Sequence, residues 1–207
     1  MRKRLLIAID GPSASGKGTL SHLLSKKFNI PHLNTGGLYR GTARKCIENN
    51  IDLSDEKAVC EIAKTLTKED VDNPLNFTED MGGNASTVGK IQCVRDALFQ
   101  FQKDFANQDG GAILDGRDIG TVICPDADYK FFVIASAEER AKRRYKEMLE
   151  KGKEADYNVI LQQLKDRDEK DMNREASPFK KANDAILIDT TDKSIQEVFE
   201  YVLGFIK

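Results

Sequence analysis

Short apolar runs alternate along the chain with segments whose apolar residues recur at helical spacing. The apolar runs predict five strands, at 5–9, 30–33, 112–114, 130–135 and 185–188. Between the first two runs, Leu20, Leu24 and Phe28 recur at the spacing of one helix face. Strands that alternate with helices predict a parallel sheet, covered by helices on both faces and joined by right-handed crossovers.

Two later helices are marked by their starting residues. Ser136 is followed three residues on by Glu139, and Ser194 by Glu197, which is the spacing of a capping box. We expect the first of these helices to run to about Glu150 and the second to end the chain. The alternation of strands and helices therefore continues through the C-terminal half.

A glycine-rich turn follows the first predicted strand directly and leads into the first helix. The run from Gly11 to Thr19 contains the pair Gly16-Lys17, at which the turn gives way to the helix. We expect Gly11 and Gly16 to give the backbone a tight, positive-φ path that aims N–H groups inward. The helix N-terminus adds its positive dipole, and Lys17 supplies a cation for the outer phosphates. This context predicts a nucleotide phosphate loop.

The residue after Lys17 departs from the general pattern of such loops. Most phosphate loops place a Ser or Thr hydroxyl there, on Mg²⁺, whereas this chain has Gly18 and brings its hydroxyl one residue later, at Thr19. This ending resembles nucleoside monophosphate kinases. It indicates that Mg²⁺, the expected cofactor with ATP, is held by ATP oxygens and water, with no direct protein ligand.

The segment 65–89 interrupts the alternation. It contains Pro74, the pair Gly82 and Gly83, and several Asn and Asp residues, with little periodicity. Such a composition predicts a loop-rich excursion from the sheet, with a disordered linker as the alternative. In an α/β phosphotransferase, an excursion of this kind usually carries the acceptor site.

Two charged clusters are candidates for the rest of the site. Asp115-Gly116-Arg117-Asp118 follows a predicted strand, and active sites of such folds gather at the carboxyl ends of strands. Arg167, Asp171 and Arg174 fall on one face of a predicted helix. Arginines beside a carboxylate suit a phosphate and a hydroxyl-bearing sugar. The alternatives are a solvated turn for the first cluster and an exposed, charge-paired helix for the second.

Composition narrows the classes of partner. The chain has 207 residues and a net charge of −2, which suits one domain and disfavours bulk nucleic-acid binding. Its four cysteines form no Cys-x-x-Cys pair and it has two histidines, which argues against a zinc site or a disulfide framework and fits a reducing cytosol. The first apolar run is too short for a signal or membrane segment. We therefore expect a cytoplasmic protein without membrane or nucleic-acid partners.

Taken together, these segments resemble the bacterial cytidylate kinase family. The resemblance covers most of the chain, in order, and its most specific stretch is 113–127. The other matching stretches are 7–19, 33–40, 84–86, 94–95, 135–145, 167–178 and 185–198. It implies a P-loop nucleoside-monophosphate-kinase fold with a five-stranded parallel sheet, an acceptor-binding insert at about 65–89, a short lid at about 146–160, and a core at about 1–64 and 90–207.

The resemblance also implies an activity, transfer of the γ-phosphoryl of ATP to CMP or dCMP. Its catalytic residues would be Lys17, Arg117, Arg167 and Arg174. The ATP phosphates would bind Gly11, Pro12, Ser13, Ala14, Ser15, Gly16, Lys17, Gly18 and Thr19. The positions that read cytosine are matched by Ser86, Arg95 and Asp118. Those that hold the acceptor phosphate or the migrating group are matched by Arg40, Arg117 and Arg174. Thr35 matches a hydroxyl near the acceptor, and Arg167 and Asp171 match positions at the sugar.

Three departures from the family pattern concern the acceptor side. The segment 65–82 is shorter than the usual insert, Phe77 stands where an arginine is common, and Lys170 replaces another arginine. The rival interpretations are a monophosphate kinase for AMP, UMP or GMP, a small-molecule kinase of the shikimate type, and a nucleotide-binding regulator without transfer chemistry. No apolar helical stripe is left over for a partner, so we expect a monomer.

Overall fold

Five parallel strands form the centre of the computed structural model, which describes residues 4–78, 81–175 and 177–207. The strands are β1 (Leu5–Asp10), β2 (His32–Asn34), β3 (Gly111–Gly116), β4 (Tyr129–Ile134) and β5 (Ile186–Asp189). They lie in the order β2-β3-β1-β4-β5. The parallel sheet and its five strands are confirmed, and each predicted strand differs from the observed one by at most two residues at either end.

Helices connect the strands and cover both faces of the sheet. The described helices are α1 (Lys17–Phe28), α2 (Thr35–Glu48), α3 (Glu56–Lys64), α4 (Lys68–Asp72), α5 (Met81–Val88), α6 (Gln92–Ala106), α7 (Ala137–Glu150), α8 (Tyr157–Asn173) and α9 (Ile195–Leu203). A 3₁₀ turn (Pro74–Phe77) and a π-type turn (Ile119–Ile123) complete the elements described.

Side chains of β1 alternate between two apolar cores. Leu6 and Ala8 face a core shared with α2, α3 and α6, whereas Ile7 and Ile9 face one shared with α1 and α9. This is the period-two alternation of a strand that is buried on both sides. The sheet is therefore rigid where its carboxyl ends present polar residues. A third, smaller cluster joins α7 to α8.

Most of the described residues of 65–89 lie in two α-helices and a 3₁₀ turn, which corrects the expectation of a loop-rich excursion. Its polar residues cap short helices: Thr67 and Asp70 form a reciprocal capping box on α4, and the Asn73 side chain accepts the Leu75 N–H at the start of the 3₁₀ turn, with Pro74 in its first turn. Residues that favour turns in a sequence are equally suited to helix ends, and short helices give little periodicity.

A fully buried amide docks this segment on α2. The Asn76 side chain donates to the carbonyls of Asp70 (2.7 Å) and Val71 (2.9 Å) and accepts from Arg44 Nε (3.0 Å). Arg44 also pairs with Asp70 and, on its own helix, with Glu48. This part of the segment 65–89 is therefore anchored to α2. The side chain of Phe77 lies outside the described residues.

Cys60 on α3 and Cys93 on α6 form a disulfide, which corrects the expectation of no disulfide. The two helices pack together and bring the Cα atoms to 5.8 Å, within the range that a disulfide spans. The residues are 33 positions apart, so spacing along the chain could not reveal their contact. Cys46 and Cys124 are buried free thiols.

The two predicted capping boxes have different outcomes. Ser194 and Glu197 form the complete, reciprocal box at α9. At α7 the Ser136 hydroxyl accepts the Glu139 N–H, but the Glu139 carboxylate accepts from Arg143 instead of returning to the cap. Helix α7 nevertheless ends at Glu150, as predicted. The proposed lid at 146–160 spans the end of α7, the connection and the start of α8.

Candidate active site

The carboxyl ends of β1, β2 and β3 lie side by side and open into one polar cleft. The register pairs Asp10 with Gly116 and Asn34 with Asp115, so the three strands end at the same level. Eight of the nine predicted acceptor residues line this cleft: Thr35, Arg40, Ser86, Arg117, Asp118, Arg167, Asp171 and Arg174. Ser13 and Lys17 of the phosphate loop line it too.

The loop after β1 has a left-handed backbone at two positions. Gly16, the N-cap of α1, has φ +88°, and Ala14 has φ +59°. Gly11 does not have positive φ, contrary to expectation; a Cβ there would overlap the Val133 carbonyl, so the glycine is needed for close packing against β4. Gly16 has no side chain to cap α1, which leaves the first turn's N–H groups to an anion.

Thr19 and Lys17 have different surroundings. The Thr19 side chain is exposed and does not line the cleft, whereas Lys17 Nζ lies in it and donates to the Pro12 carbonyl at 3.1 Å. Burial lowers the Lys17 pKa from 10.5 to about 7; Arg117, Arg167 and Arg40 lower it further, and Asp115 opposes them. The cleft is thus strongly electropositive around this amine.

Two neighbouring arginines experience the same field. Burial lowers the pKa of Arg40 and of Arg167 to about 10, and the charge of Arg117 contributes to both shifts. Among the residues that the structure describes, the buried Nε of Arg167 has no hydrogen-bond partner. The residues that line the cleft include five cations and three carboxylates, and this excess of positive charge is suited to a polyanion such as a nucleotide phosphate.

Arg117 lies between the phosphate loop and α8. Its Nε donates to the Asp171 carboxylate at 2.9 Å. One terminal nitrogen donates to the Gly116 carbonyl and the other to Ser13 Oγ, both at 3.3 Å. The predicted grouping of Arg167, Asp171 and Arg174 is also present: the first two lie on α8, and Arg174 is its C-cap. The two charged clusters, 54 residues apart at Arg117 and Asp171, therefore meet in one place.

Asp118 forms a buried ion pair with Arg95, which reaches it from α6. Arg95 is the predicted acceptor residue that does not line the cleft; it donates to the Gly89 carbonyl as well, and its guanidinium lies 5.7 Å from the centre of the Tyr39 ring. Arg174 approaches the second oxygen of Asp118 at 3.7 Å. This corner of the cleft combines fixed donors, a fixed acceptor and an aromatic wall, with Ser86 of α5 beside them.

Asp10 holds the start of the phosphate loop to the turn that carries Arg117 and Asp118. Its two carboxylate oxygens accept the backbone N–H groups of Ile119 (2.9 Å) and Gly120 (2.8 Å). Burial raises the Asp10 pKa from 3.8 to about 7, although the two hydrogen bonds oppose this shift. Sequence reasoning missed this residue. Its only signal was an acidic residue at the end of an otherwise apolar strand.

Asp115 connects β3 to the other side of the cleft. Its backbone carbonyl accepts from Thr35 Oγ1 at 2.8 Å, and its carboxylate lies 3.1 Å from His32 Nε2. Asn34, which accepts from Arg40, and Tyr39 line the cleft as well. His32, Asn34 and Tyr39 were not assigned to the site from the sequence, and Asp115 was named there only as part of the charged cluster 115–118.

Two arginines of α7 support the phosphate loop from behind. Arg140 pairs with Asp168 at 2.6 Å and donates to the Ser13 carbonyl, and Arg143 donates to both oxygens of Thr190. The Thr190 hydroxyl in turn donates to the Ser15 carbonyl. These contacts tie the loop to α7, α8 and the end of β5.

Comparisons with known proteins assign this arrangement to a family. The family model for cytidylate kinase matches residues 7–207. The chain belongs to the cytidylate kinase family. It is 47% identical over 203 residues to the cytidylate kinase of Methylocella silvestris, covering 98% of this chain and 94% of that protein. It is 48% identical over 192 residues to the one of Rhodopseudomonas palustris strain TIE-1, covering 93% and 91%.

Solved structures of low sequence identity share the fold. An uncharacterized protein from Eubacterium ventriosum is 16% identical with a TM-score of 0.60, covering 98% of both chains. A sugar kinase from Janibacter sp. is 14% identical with a TM-score of 0.51, covering 99% of this chain and 95% of that one.

Within the described ranges, the cytidylate kinase family member has no helix that is long and apolar enough to cross a bilayer.

Proposed function

We propose that this cleft transfers the γ-phosphoryl group of ATP to CMP or dCMP, releasing ADP and the corresponding diphosphate. The observation that carries the proposal is the presence, in one cleft, of the phosphate loop amine Lys17 and of Asp118, which is held in a buried ion pair with Arg95. The first suits a triphosphate donor, and the second suits a base with both donor and acceptor edges.

Recognition of cytosine follows from the fixed charges around Asp118. Cytosine presents an amino donor beside the acceptors N3 and O2. In this proposal Asp118 accepts from the amino group, and Arg95 and Ser86 donate to the acceptors. The ion pair with Arg95 fixes the position of the Asp118 carboxylate. Arg167 and Asp171 lie along α8, where they would meet the sugar.

Catalysis in this proposal is electrostatic. The acceptor phosphate is already largely dianionic at neutral pH, with a second pKa of about 6, so no general base is required. What the transfer needs is the approach of two anions and stabilisation of a loose, charge-spread transition state. Lys17, Arg117, Arg167 and Arg174 supply these charges, and Arg40 and Thr35 hold the acceptor.

Mg²⁺ would accompany ATP in this cleft. Among the described residues, no three His, Cys, Asp or Glu side chains are grouped closely enough to hold a metal ion. In this proposal the ion is held by phosphate oxygens and water, which are ligands that Mg²⁺ prefers. The buried Asp115 carboxylate, beside the loop at Gly18, is available to such a water. The ion would neutralise phosphate charge during transfer.

The proposal assigns separate roles to two segments of the chain. The insert at 65–89 would bind the acceptor and the segment 146–160 would act as a lid, closing over ATP to exclude water. We place the enzyme in the cytoplasm, where both nucleotides are found, and as a monomer, because the exposed large apolar side chains are scattered over several elements, among them Leu75, Val159 and Leu187.

A coupled ADP-release assay with each nucleoside monophosphate tests the proposal. We expect CMP and dCMP to be the preferred acceptors. Preference for AMP or UMP would refute the assignment of cytosine, and no stimulation by any monophosphate would favour a nucleotide-binding regulator.

Asp118→Asn sharpens the test of base recognition. It replaces an acceptor with an amide that can also donate, so the rate with CMP should fall about 10- to 100-fold and the ratio of CMP to UMP activity should narrow. Asp168→Asn is the matched control, since it also breaks a buried arginine pair but does not line the cleft. It should leave the acceptor ratio unchanged.

A further inference from the structure

The chain beyond α8 folds back against the helix end that it has just left. The Arg174 Nε donates to the Ser177 carbonyl at 2.7 Å, and Ser177 has a left-handed φ of +49°. The Phe179 N–H then donates to the Asp171 carbonyl at 3.0 Å. These contacts hold Phe179 beside the residues of α8 that line the cleft.

The Phe179 ring lies between β4 and Arg117. It stacks on Phe132 with ring centres 5.1 Å apart and an interplanar angle of 21°. The Arg117 guanidinium lies over the ring at 5.7 Å from its centre, within the range of a cation–π interaction. Phe132 belongs to the central sheet, so the aromatic pair gives Arg117 a rigid, apolar support.

The hydrogen bonds of Arg117 show what this support achieves. A guanidinium has five N–H groups in one plane. Three of those of Arg117 are used, by Asp171, by the Gly116 carbonyl and by Ser13. Within the described part of the chain, the other two have no acceptor, one on each terminal nitrogen. Because all five lie in one plane, the orientation of that plane decides where the two remaining groups point.

We propose that Phe179 is a positioning residue for phosphoryl transfer: it fixes the plane of Arg117 so that the two remaining N–H groups face the phosphate being transferred. Asp171 restrains the guanidinium through one edge and Phe179 through one face. Asp171 also accepts the Phe179 N–H, so the two restraints are linked through one residue. Phe179 itself does not touch substrate. The inference rests on the function proposed above.

Loss of the ring should therefore affect the chemical step more than binding. A guanidinium that can tilt still contributes charge to the bound nucleotides, but it loses the alignment that matters in the transition state. From the range of cation–π energies, we expect Phe179→Leu to lower kcat about 3- to 30-fold, with KM for CMP and ATP changed less than twofold.

The experiment measures kcat and both KM values for the full chain and three variants. Phe179→Tyr keeps an aromatic face and should restore kcat to within about twofold of the original chain. Phe179→Met fills a similar volume without a ring and serves where Phe179→Leu fails to fold. Phe205→Leu is the matched control: Phe205 packs on Phe131 and Tyr201, and does not line the cleft.

A double-mutant cycle separates positioning from general stability. In an Arg117→Lys background, the fork that Phe179 orients is gone, so Phe179→Leu should lower kcat no further. An equal loss in both backgrounds would overturn the inference, as would a Phe179→Leu variant with unchanged kcat or with raised KM alone. If the unaltered chain phosphorylates no cytidine nucleotide, the proposed function has failed and not this role of Phe179.

Discussion

Replacing Lys17 with methionine should stabilise the ligand-free protein at pH 6 while abolishing transfer. The Lys17 amine is held among Arg40, Arg117 and Arg167, and burial together with these charges lowers its pKa from 10.5 to about 7. A positive charge is thus maintained where the folded protein disfavours it. Methionine has a similar length and no charge, so it removes the unfavourable interaction and retains much of the packing.

The magnitude follows from the pKa. A fall from 10.5 to about 7 corresponds to about 5 kcal/mol against the protonated amine in the folded state. The side chain is partly exposed, so solvent screening reduces this value, and its hydrogen bond to Pro12 offsets it by about 1 kcal/mol. We expect Lys17→Met to raise the free energy of unfolding by about 1 to 3 kcal/mol at pH 6.

The lowered pKa of Lys17 also determines how the stability difference between the two proteins changes with pH. Below pH 7 the amine is protonated in both states, so the destabilisation is complete. Between pH 7 and 10.5 the unfolded chain binds more protons than the folded one, so the stability of the original protein rises with pH. The advantage of Lys17→Met should therefore shrink steadily from pH 7 to pH 9.

Urea unfolding of both proteins at pH 6, 7, 8 and 9, in buffers free of phosphate and sulfate, measures this difference. Comparing the two proteins at each pH largely cancels the titration of other groups, such as Asp10. Lys27→Met is the matched control, on the same helix but exposed, and should change stability by less than about 0.5 kcal/mol. A Lys17→Met protein less stable than the original at pH 6, or a difference that does not change with pH, would refute the reasoning.

Three further predictions concern structural groups outside the transfer chemistry. Asp10→Asn leaves one of two buried backbone N–H groups without its acceptor, so urea unfolding should show a loss of about 1 to 3 kcal/mol. Asn76→Ala should cost about 2 to 4 kcal/mol, because it leaves the groups of three hydrogen bonds unpaired, and should increase hydrogen exchange in α4. Reduction of the Cys60–Cys93 bond should lower the free energy of unfolding by about 2 to 4 kcal/mol. A reductant should not change the stability of Cys93→Ser, which lacks the bond, and should still lower that of Cys46→Ser, which keeps it.

Much of the architecture was predictable because its signals are local. Each strand of the sheet is a short apolar run, and the predicted phosphate loop is one continuous stretch from Gly11 to Thr19. The grouping of Arg167, Asp171 and Arg174 follows from helix geometry, and the position of Arg117 and Asp118 at the end of β3 follows from the strand before them. Where strand ends meet, such local predictions combine into a site.

What could not be predicted depends on contacts between distant parts of the chain. The disulfide joins residues of α3 and α6 that share no motif, and the ring of Phe179 reaches Arg117 across 62 positions. The segment 65–89 was misjudged for a different reason: a helix of five residues has too few turns to show periodicity, so only its caps were visible. Tertiary packing decided the first two of these features, and helix length the third.

The docking of Asn76 has a mechanical consequence for the cleft. Arg44, which holds Asn76, is one helical turn beyond Arg40, which lines the cleft from the same helix. Helix α2 thus connects the two: its C-terminal half holds the anchored segment, and its N-terminal half forms part of the cleft wall. A hinge motion of this side must rotate α2 as one body or break the buried hydrogen bonds of Asn76. We therefore expect the described part of 65–89 and the cleft wall on α2 to move together.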